Sequence, residues 1–309
     1  MLESNQVYAA LGQEPLFKYA IRRIRWGETV RQLRRYNLRA VLIVHALVVG
    51  LWLLGLITSG GYPPTYGYYT PGYYIYIQGV NTANWLLLGT IGLDIILDFA
   101  CLVFAINSIG GEISAGRWDL LRMTPLPEER IVEAKHGIAQ VRAWRVMAVV
   151  LFARVATVML ILFNTFVLPP VLGVSGPLAD IFRYEFFNPL LVLITAVIFL
   201  AVYVIEPVWR MRALTAVGVA ISARVHSLVF ALLAAFAAIV AIWINQALII
   251  GIIGWITIRI ATIIPDASIY MCAVLPACIG TAFIVRSYYT SLAGWALGYA
   301  TRRVYQEEG

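Results

Sequence analysis

Charged residues are scarce in this chain of 309 residues: they make up 13% of it, whereas hydrophobic residues make up 61%. A soluble globular domain has roughly a quarter of its residues charged. The mean hydropathy is +0.82, and several apolar runs reach the roughly 20 residues that a helix needs to cross a bilayer. The composition therefore excludes a soluble protein and predicts an all-α integral membrane protein.

The chain is also poor in the residues that most enzymes and metal sites require. Its three cysteines (Cys101, Cys272 and Cys278) fall in apolar runs and support neither a disulfide framework nor a zinc site. Its two lysines, Lys18 and Lys135, lie in no glycine loop, and the phosphate-binding pattern G-x-x-x-x-G-K-[ST] is absent. We therefore expect no ATPase activity and no cofactor in this chain, and the polar N-terminus lacks the pattern of a cleaved signal peptide.

Apolar runs predict six transmembrane spans within residues 40–289. Their expected ranges are 40–58, 84–108, 138–168, 189–205, 226–246 and 267–289. A loop is expected at 59–83, and a basic cytoplasmic link at 206–224. Residues 247–264 are apolar but hold two glycines and Arg259, so they are either a seventh span or a re-entrant segment before span 6. Six spans with a re-entrant segment are favoured, because a seventh span would move Arg302 and Arg303 to the outside.

The N-terminal segment, 1–39, is densely basic from Pro15 onward, and apolar residues recur along it at helical spacing. This pattern predicts an amphipathic helix lying on anionic membrane lipids. The alternative is a simple basic tail that sets the topology.

The basic residues are unevenly divided between the two sides of the membrane in the six-span arrangement. The side of the N-terminus has 17 of them, and the opposite side has two, Arg183 and Arg259. The bias predicts that the chain lies in the inner membrane with both termini, including the tail 290–309, in the cytoplasm. Because the positive charge follows the spans, we expect no nucleic-acid partner.

A polar loop, 109–137, joins spans 2 and 3 on the cytoplasmic side. Gly116 permits a turn, and residues 117–123 predict a short helix with Trp118, Leu121 and Leu120 on an apolar ridge. The Pro-containing stretch 124–127 ends this helix, and a second helix starts at Glu128. Such a loop suits docking to a cytoplasmic partner; the alternative is an ordinary polar hairpin.

Apart from Arg142, Arg145 and Arg286 near the span ends, three charged residues fall inside predicted spans, where charge is costly and normally faces a partner or a water-filled cavity. Asp94 and Asp98 lie four apart on one face of span 2, and Arg154 lies in span 3. At about 1.5 Å of rise per residue, Asp98 and Arg154 reach similar depths. We therefore expect an Asp98–Arg154 pair, with a structural role or a role in contacting substrate.

The loop carries a sequence that resembles a signature of type-2 ABC exporter permeases, Glu-x-x-x-Gly-Thr-Leu-Glu-Leu-Leu-x-x-Thr-Pro-Leu. The matching residues are Glu112, Gly116, Leu120, Leu121, Thr124, Pro125 and Leu126, with Asp119 at the acidic position. Arg117 and Trp118 stand where the family has Thr and Leu. In that family this stretch is the coupling helix that engages the ATPase subunit.

The resemblance implies that this chain is the transmembrane subunit of an ATP-driven exporter. It further implies two partners: a cytoplasmic ABC ATPase, which would hold ATP and magnesium, and a second permease copy or paralogue. The alternative is a non-transporting structural subunit of a larger membrane assembly. An intramembrane aspartyl enzyme is disfavoured, because its two acids would have to converge from different helices.

Overall fold

The structure is a computed structural model that describes residues 26–59, 71–123, 126–173, 189–225, 227–263 and 267–306. Within these ranges the chain is 93% helical and has no strand. The helices are α1 (Trp26–Ser59), α2 (Pro71–Ala105), α3 (Gly110–Ser114), α4 (Trp118–Arg122), α5 (Glu128–Leu162), a π-helical turn (Phe163–Val167), α6 (Leu168–Val171), α7 (Pro189–Arg224), α8 (Leu228–Ile263) and α9 (Ala267–Gln306).

Five helices, α1, α2, α5, α7 and α8, are long and apolar enough to cross a membrane. Their outward faces carry large exposed apolar side chains such as Leu42, Trp85, Met159 and Phe230. Water would disfavour so much exposed apolar surface, whereas lipid tails would accept it. The described helices thus have the character of a multi-pass membrane protein, as the composition predicts.

Several helices run further than the sequence predicts. The expected loop 59–83 is helical from Pro71, and α7 continues without a break through the stretch 206–224 that we expected to be a cytoplasmic link. The predicted re-entrant segment 247–264 shows no reversal, because α8 extends through it to Ile263. The C-terminal tail 290–309 is helical to Gln306 as the continuation of α9.

The N-terminal boundary at residue 39 is also not a break, because α1 already begins at Trp26. The rest of the predicted interfacial helix, residues 1–25, lies outside the described part of the chain, as does residue 264. The sequence placed boundaries at charges and prolines, whereas the helices continue past charged residues and, at Pro207 in α7 and Pro276 in α9, past a proline.

The core centres on α7 and α9, which pack against each other along much of their length. The buried face of each is rich in alanine: Ala213, Ala216, Ala220 and Ala223 on α7, and Ala293, Ala296 and Ala300 on α9. Small side chains let two helix backbones approach closely, which gains dispersion contacts where lipid offers no hydrophobic driving force. The residues 290–304 therefore belong to the helical core.

Helices α2 and α7 meet most closely at Gly218. A Cβ placed on Gly218 would lie 2.5 Å from the Cβ of Ala105 and 3.4 Å from the backbone oxygen of Leu102. A Cβ atom cannot rotate away as the end of a long side chain can. The contact therefore requires glycine at position 218.

We predict that Gly218→Ala lowers the stability of the folded chain by about 1–3 kcal/mol, the usual cost of overpacking. The matched control is Gly294→Ala in α9, where a Cβ meets nothing within 4 Å. This control should be neutral, or stabilising by up to about 1 kcal/mol, because alanine favours a helix interior more than glycine does. Thermal unfolding of both variants in detergent provides the measurement, and equal melting temperatures would contradict the close contact.

Candidate functional site

Five charged side chains meet in the interior of the helix bundle, and we call this group the charge centre. It consists of Asp94 and Asp98 from α2, Arg154 from α5, and Glu206 and Arg210 from α7. Each residue is at most 6% exposed. Isolated charges at such burial are strongly disfavoured, so their mutual pairing is a condition of the fold.

Arg154 joins the three helices of the charge centre. Its Nη2 lies 2.5 Å from Oδ2 of Asp94 and 3.0 Å from Oε2 of Glu206. Its Nη1 donates to the backbone carbonyl of Tyr203, and its guanidinium lies 4.5 Å from the centroid of the Tyr203 ring. One arginine thus serves as donor to α2 and α7 together.

Pro207 explains why the carbonyl of Tyr203 is free to accept this bond. In an α-helix this carbonyl would accept from the N–H four residues later, which is position 207. Proline has no N–H, and Pro207 lies inside α7. The proline therefore removes one rung of the helix and creates an acceptor for Arg154.

Arg210 is the second guanidinium of the charge centre and is 1% exposed. Its Nε lies 2.8 Å from Oδ1 of Asp98, and its Nη1 lies 3.4 Å from Oε1 of Glu206. The first contact is an ion pair by distance, although its angle falls outside hydrogen-bond geometry. Nη2 donates to Oε1 of Gln246 at 3.1 Å, and the guanidinium lies 4.6 Å from the centroid of the Trp243 ring.

Neutral side chains from α8 and α9 donate hydrogen bonds to the charge centre. Trp243 Nε1 donates to Oδ2 of Asp98 at 2.8 Å, and the hydroxyl of Tyr289 donates to Oε1 of Glu206 at 2.9 Å. Hydrogen bonds to charged groups are stronger than those between neutral groups. The charge centre therefore connects α2, α5, α7, α8 and α9.

The structure brings together the three intramembrane charges that the sequence singled out, but the predicted partner of Arg154 is wrong. Arg154 pairs with Asp94, whereas Asp98 pairs with Arg210. The error arose because residues 206–224 were assigned to a water-facing link, which removed Glu206 and Arg210 from consideration. The available signal was their spacing of four, which suits an ion pair on one helix, followed by the apolar run 213–223.

The loop between α2 and α5 is built around two turns of helix. Gly116 has φ +64°, in the left-handed region that favours glycine, and α4 follows from Trp118 with Arg117 as its N-cap residue. The predicted turn at Gly116 and the start of a helix at Glu128 are both confirmed. Thr124 and Pro125 lie outside the described residues.

Glu112 holds the two ends of this loop together. Its Oε1 accepts from Nζ of Lys135 on α5 at 2.8 Å, and its Oε2 accepts from Nε of Arg117 at 2.7 Å. Both partners are partly exposed, with side-chain exposures of 19% for Lys135 and 62% for Arg117. Pairs of this kind contribute at most about 1 kcal/mol each, but they fix the direction in which α4 leaves the bundle.

Ser222 attaches the start of the loop to α7. Its Oγ accepts hydrogen bonds from the backbone N–H groups of Ile109 and Gly110, both at 2.9 Å. A Cβ at Gly110 would lie only 3.0 Å from the carbonyl oxygen of Ser222. The end of α7 and the first turn of α3 are therefore in direct contact.

Helix α4 has one face on the core and one face outward. Trp118 is 6% exposed within the main hydrophobic core, and Leu121 and Leu126 pack against that core. Leu120 is 64% exposed and Met123 is 81% exposed, and Asp119 is exposed beside them. The predicted ridge is therefore divided: Trp118 and Leu121 anchor the helix, and Leu120 faces away from the core.

A cavity of about 440 Å³ lies between this loop and the helices. Phe104 of α2, Leu121 of α4 and Ile138 of α5 line it together with Glu112 and Lys135. The loop is thus held at its ends and by Trp118, with open space between these attachments.

Comparison of the chain with protein-family models, with curated proteins and with solved structures finds no match. Within the described ranges, no group of three or more His, Cys, Asp and Glu side chains is arranged to hold a metal ion. The functions of the charge centre and the loop are therefore argued from their own geometry.

We predict that Arg210→Met destabilises the chain by about 3–5 kcal/mol, because it leaves Asp98 buried without its cation and takes one of two cations from Glu206. Adding Asp98→Asn should recover part of the loss, since it removes the orphaned charge. The control is Arg302→Met, which changes an exposed arginine near the C-terminal end of α9 and should cost less than about 0.5 kcal/mol. Thermal unfolding in detergent measures the stability of all three variants. An Arg210→Met variant as stable as Arg302→Met would contradict a structural role for the charge centre.

Proposed function

We propose that this chain is the transmembrane subunit of an ATP-driven exporter of the type-2 ABC class. A separate ATPase subunit would supply hydrolysis, with ATP and magnesium bound to that partner. The observation that carries the proposal is the form of the polar loop: a short helix, α4, that exposes Leu120 and Met123 while Trp118 anchors it to the core. An apolar ridge beside an acidic residue, held at a defined place, suits recognition by a partner protein.

The attachments of the loop support a role in transmitting movement. Glu112 ties α3 to α5 through Lys135, and Ser222 ties the start of α3 to α7. A displacement of α4 would therefore reach two membrane helices, α5 and α7, through short contacts. A freely hinged loop would absorb the same displacement without moving the bundle.

The arginine distribution supports a cytoplasmic position for α4. Arg210 is buried in the charge centre, so it no longer counts toward the cytoplasmic side. The bias then falls from 17 to 16 basic residues, against two on the opposite side. This excess still favours cytoplasmic termini and a cytoplasmic loop in the inner membrane, with α9 as the sixth span.

In the proposed cycle, ATP binding closes the partner ATPase subunits and moves α4, and the helix bundles rock between inward-open and outward-open states. A second permease chain would complete the enclosed path. The described side chains act by binding and transmitting force, and no covalent step is assigned to them. A static docking element of a non-transporting assembly would share the same loop but would not alter hydrolysis.

We predict that Leu120→Ser combined with Met123→Ser abolishes stimulation of the partner ATPase while leaving the permease folded. Both side chains are exposed, so their replacement removes a docking ridge without opening the core. The first step is to search beside the gene for this chain for an open reading frame with ATPase motifs. The measurement co-purifies that ATPase with this chain, reconstitutes both in lipid, and compares hydrolysis with and without the permease.

Tyr305→Ser is the matched control, because Tyr305 is also exposed but belongs to α9 and not to the loop. This variant should retain full stimulation. Loss of assembly in the double variant alone supports docking through α4. If the double variant still assembles with the ATPase and still stimulates hydrolysis, the exporter proposal is wrong. If the wild-type chain assembles with the ATPase but does not affect hydrolysis, the static subunit is favoured.

A further inference from the structure

The charge centre is not balanced. Three carboxyl groups, from Asp94, Asp98 and Glu206, face two guanidinium groups, from Arg154 and Arg210. If every group were ionised, the centre would carry one surplus negative charge. Buried groups normally avoid an uncompensated charge by changing their protonation state.

The surroundings of the charge centre do not supply the missing positive charge. The other described polar side chains that contact it or lie beside it are Tyr203 on α7, Trp243 and Gln246 on α8, Tyr288 and Tyr289 on α9, and Cys101 on α2. None of these is a cation at neutral pH. A bound proton is therefore the smallest species that restores neutrality.

The hydrogen bonds distinguish the three carboxyl groups. Both oxygens of Glu206 have donors: Arg154 at Oε2, and Tyr289 and Arg210 at Oε1. Oδ2 of Asp98 accepts from Trp243, and Oδ1, although it has no hydrogen-bond partner, lies 2.8 Å from Nε of Arg210. A proton added to any of these oxygens would crowd a nitrogen or hydroxyl group that is already in contact with it.

Asp94 differs from both. Its closest contacts with Arg154 and Arg210 are both through Oδ2, so its Oδ1, which is buried and has no hydrogen-bond partner, lies away from both guanidinium groups. The residue is 3% exposed, so bulk water does not supply a donor. Oδ1 of Asp94 is the position in the charge centre where a proton can be added without displacing an existing contact.

We propose that the charge centre is a proton-binding site and that Asp94 holds the proton on Oδ1 at neutral pH. The proton joins a carboxylate lone pair, so the step forms one O–H bond and breaks none within the chain. This proposal does not depend on the proposed transport function.

Proton binding is linked to the packing of α2 against α7. Arg210 Nη1 lies 3.9 Å from Oδ2 of Asp94, too far for a hydrogen bond. A shift of α7 that brought this nitrogen into contact would favour the ionised carboxylate and release the proton. By linkage, removing the proton would favour that shift, so the arrangement of the two helices would depend on pH.

Infrared spectroscopy of the full chain in lipid vesicles tests the proposal without any ATPase. The carbonyl stretch of a protonated carboxyl group is separate from the carboxylate bands and moves on exchange into D2O. We expect one such band per chain at neutral pH. Labelling aspartate with ¹³C at the side-chain carboxyl should shift it, whereas the same labelling of glutamate should not. This experiment uses the wild-type sequence, so it does not rely on a variant that folds.

Variants then assign the band to one residue. Asp94→Asn should abolish it, and Asp119→Asn, which changes an exposed carboxyl on α4, should leave it unchanged. In Asp98→Asn the charges balance, so the band should vanish at neutral pH and return on acidification at its original frequency. Absence of the band in the wild type, a band shifted by labelled glutamate, its persistence in Asp94→Asn, or its displacement by added Na⁺ would each overturn the proposal.

Discussion

An ionised side chain that leaves water must find its counter-charge inside the protein, and the helix bundle is arranged around this requirement. Two arginines on α5 and α7 face three acids on α2 and α7, so the relative rotation and height of these helices are fixed by where the guanidinium groups reach. The apolar contacts around them are permissive by comparison, since alanine faces such as those of α7 and α9 can slide by small amounts at little cost. Trp243 and Tyr289 then hold α8 and α9 to the same point.

Helix α7 connects the charge centre to the polar loop. Arg210 contacts Asp98, and Ser222, farther along the same helix, accepts the N–H groups that open α3. At 1.5 Å per residue, the two positions are about 18 Å apart. A helix is stiff over this length, so the packing at one end and the position of the loop at the other are coupled through one rigid element. The coupling gives a physical route between events at the membrane surface and the buried charges.

The sequence predicted the parts of this architecture that depend on local chemistry. Gly116 and Glu128 were placed correctly because a left-handed turn and a helix start leave clear residue signatures. The partners of Asp94 and Asp98 were not, because pairing depends on how distant helices pack. The span end predicted at residue 205 was wrong, because the structure continues the helix past Pro207 and uses the vacant carbonyl of Tyr203 as an acceptor for Arg154. Such a substitute hydrogen bond cannot be read from one segment alone.

The pairing also constrains how the chain is made. Arg154 follows Asp94 by 60 residues, which at about 5–20 residues per second amounts to roughly 3–12 s of synthesis. During this interval α2 carries two acids and has neither of its arginines, and an aspartate at the centre of a lone helix opposes insertion by about 2.5–3.5 kcal/mol. The two acids therefore weaken the insertion of α2, although its apolar residues favour it, until α5 and α7 supply the arginines that neutralise the acids.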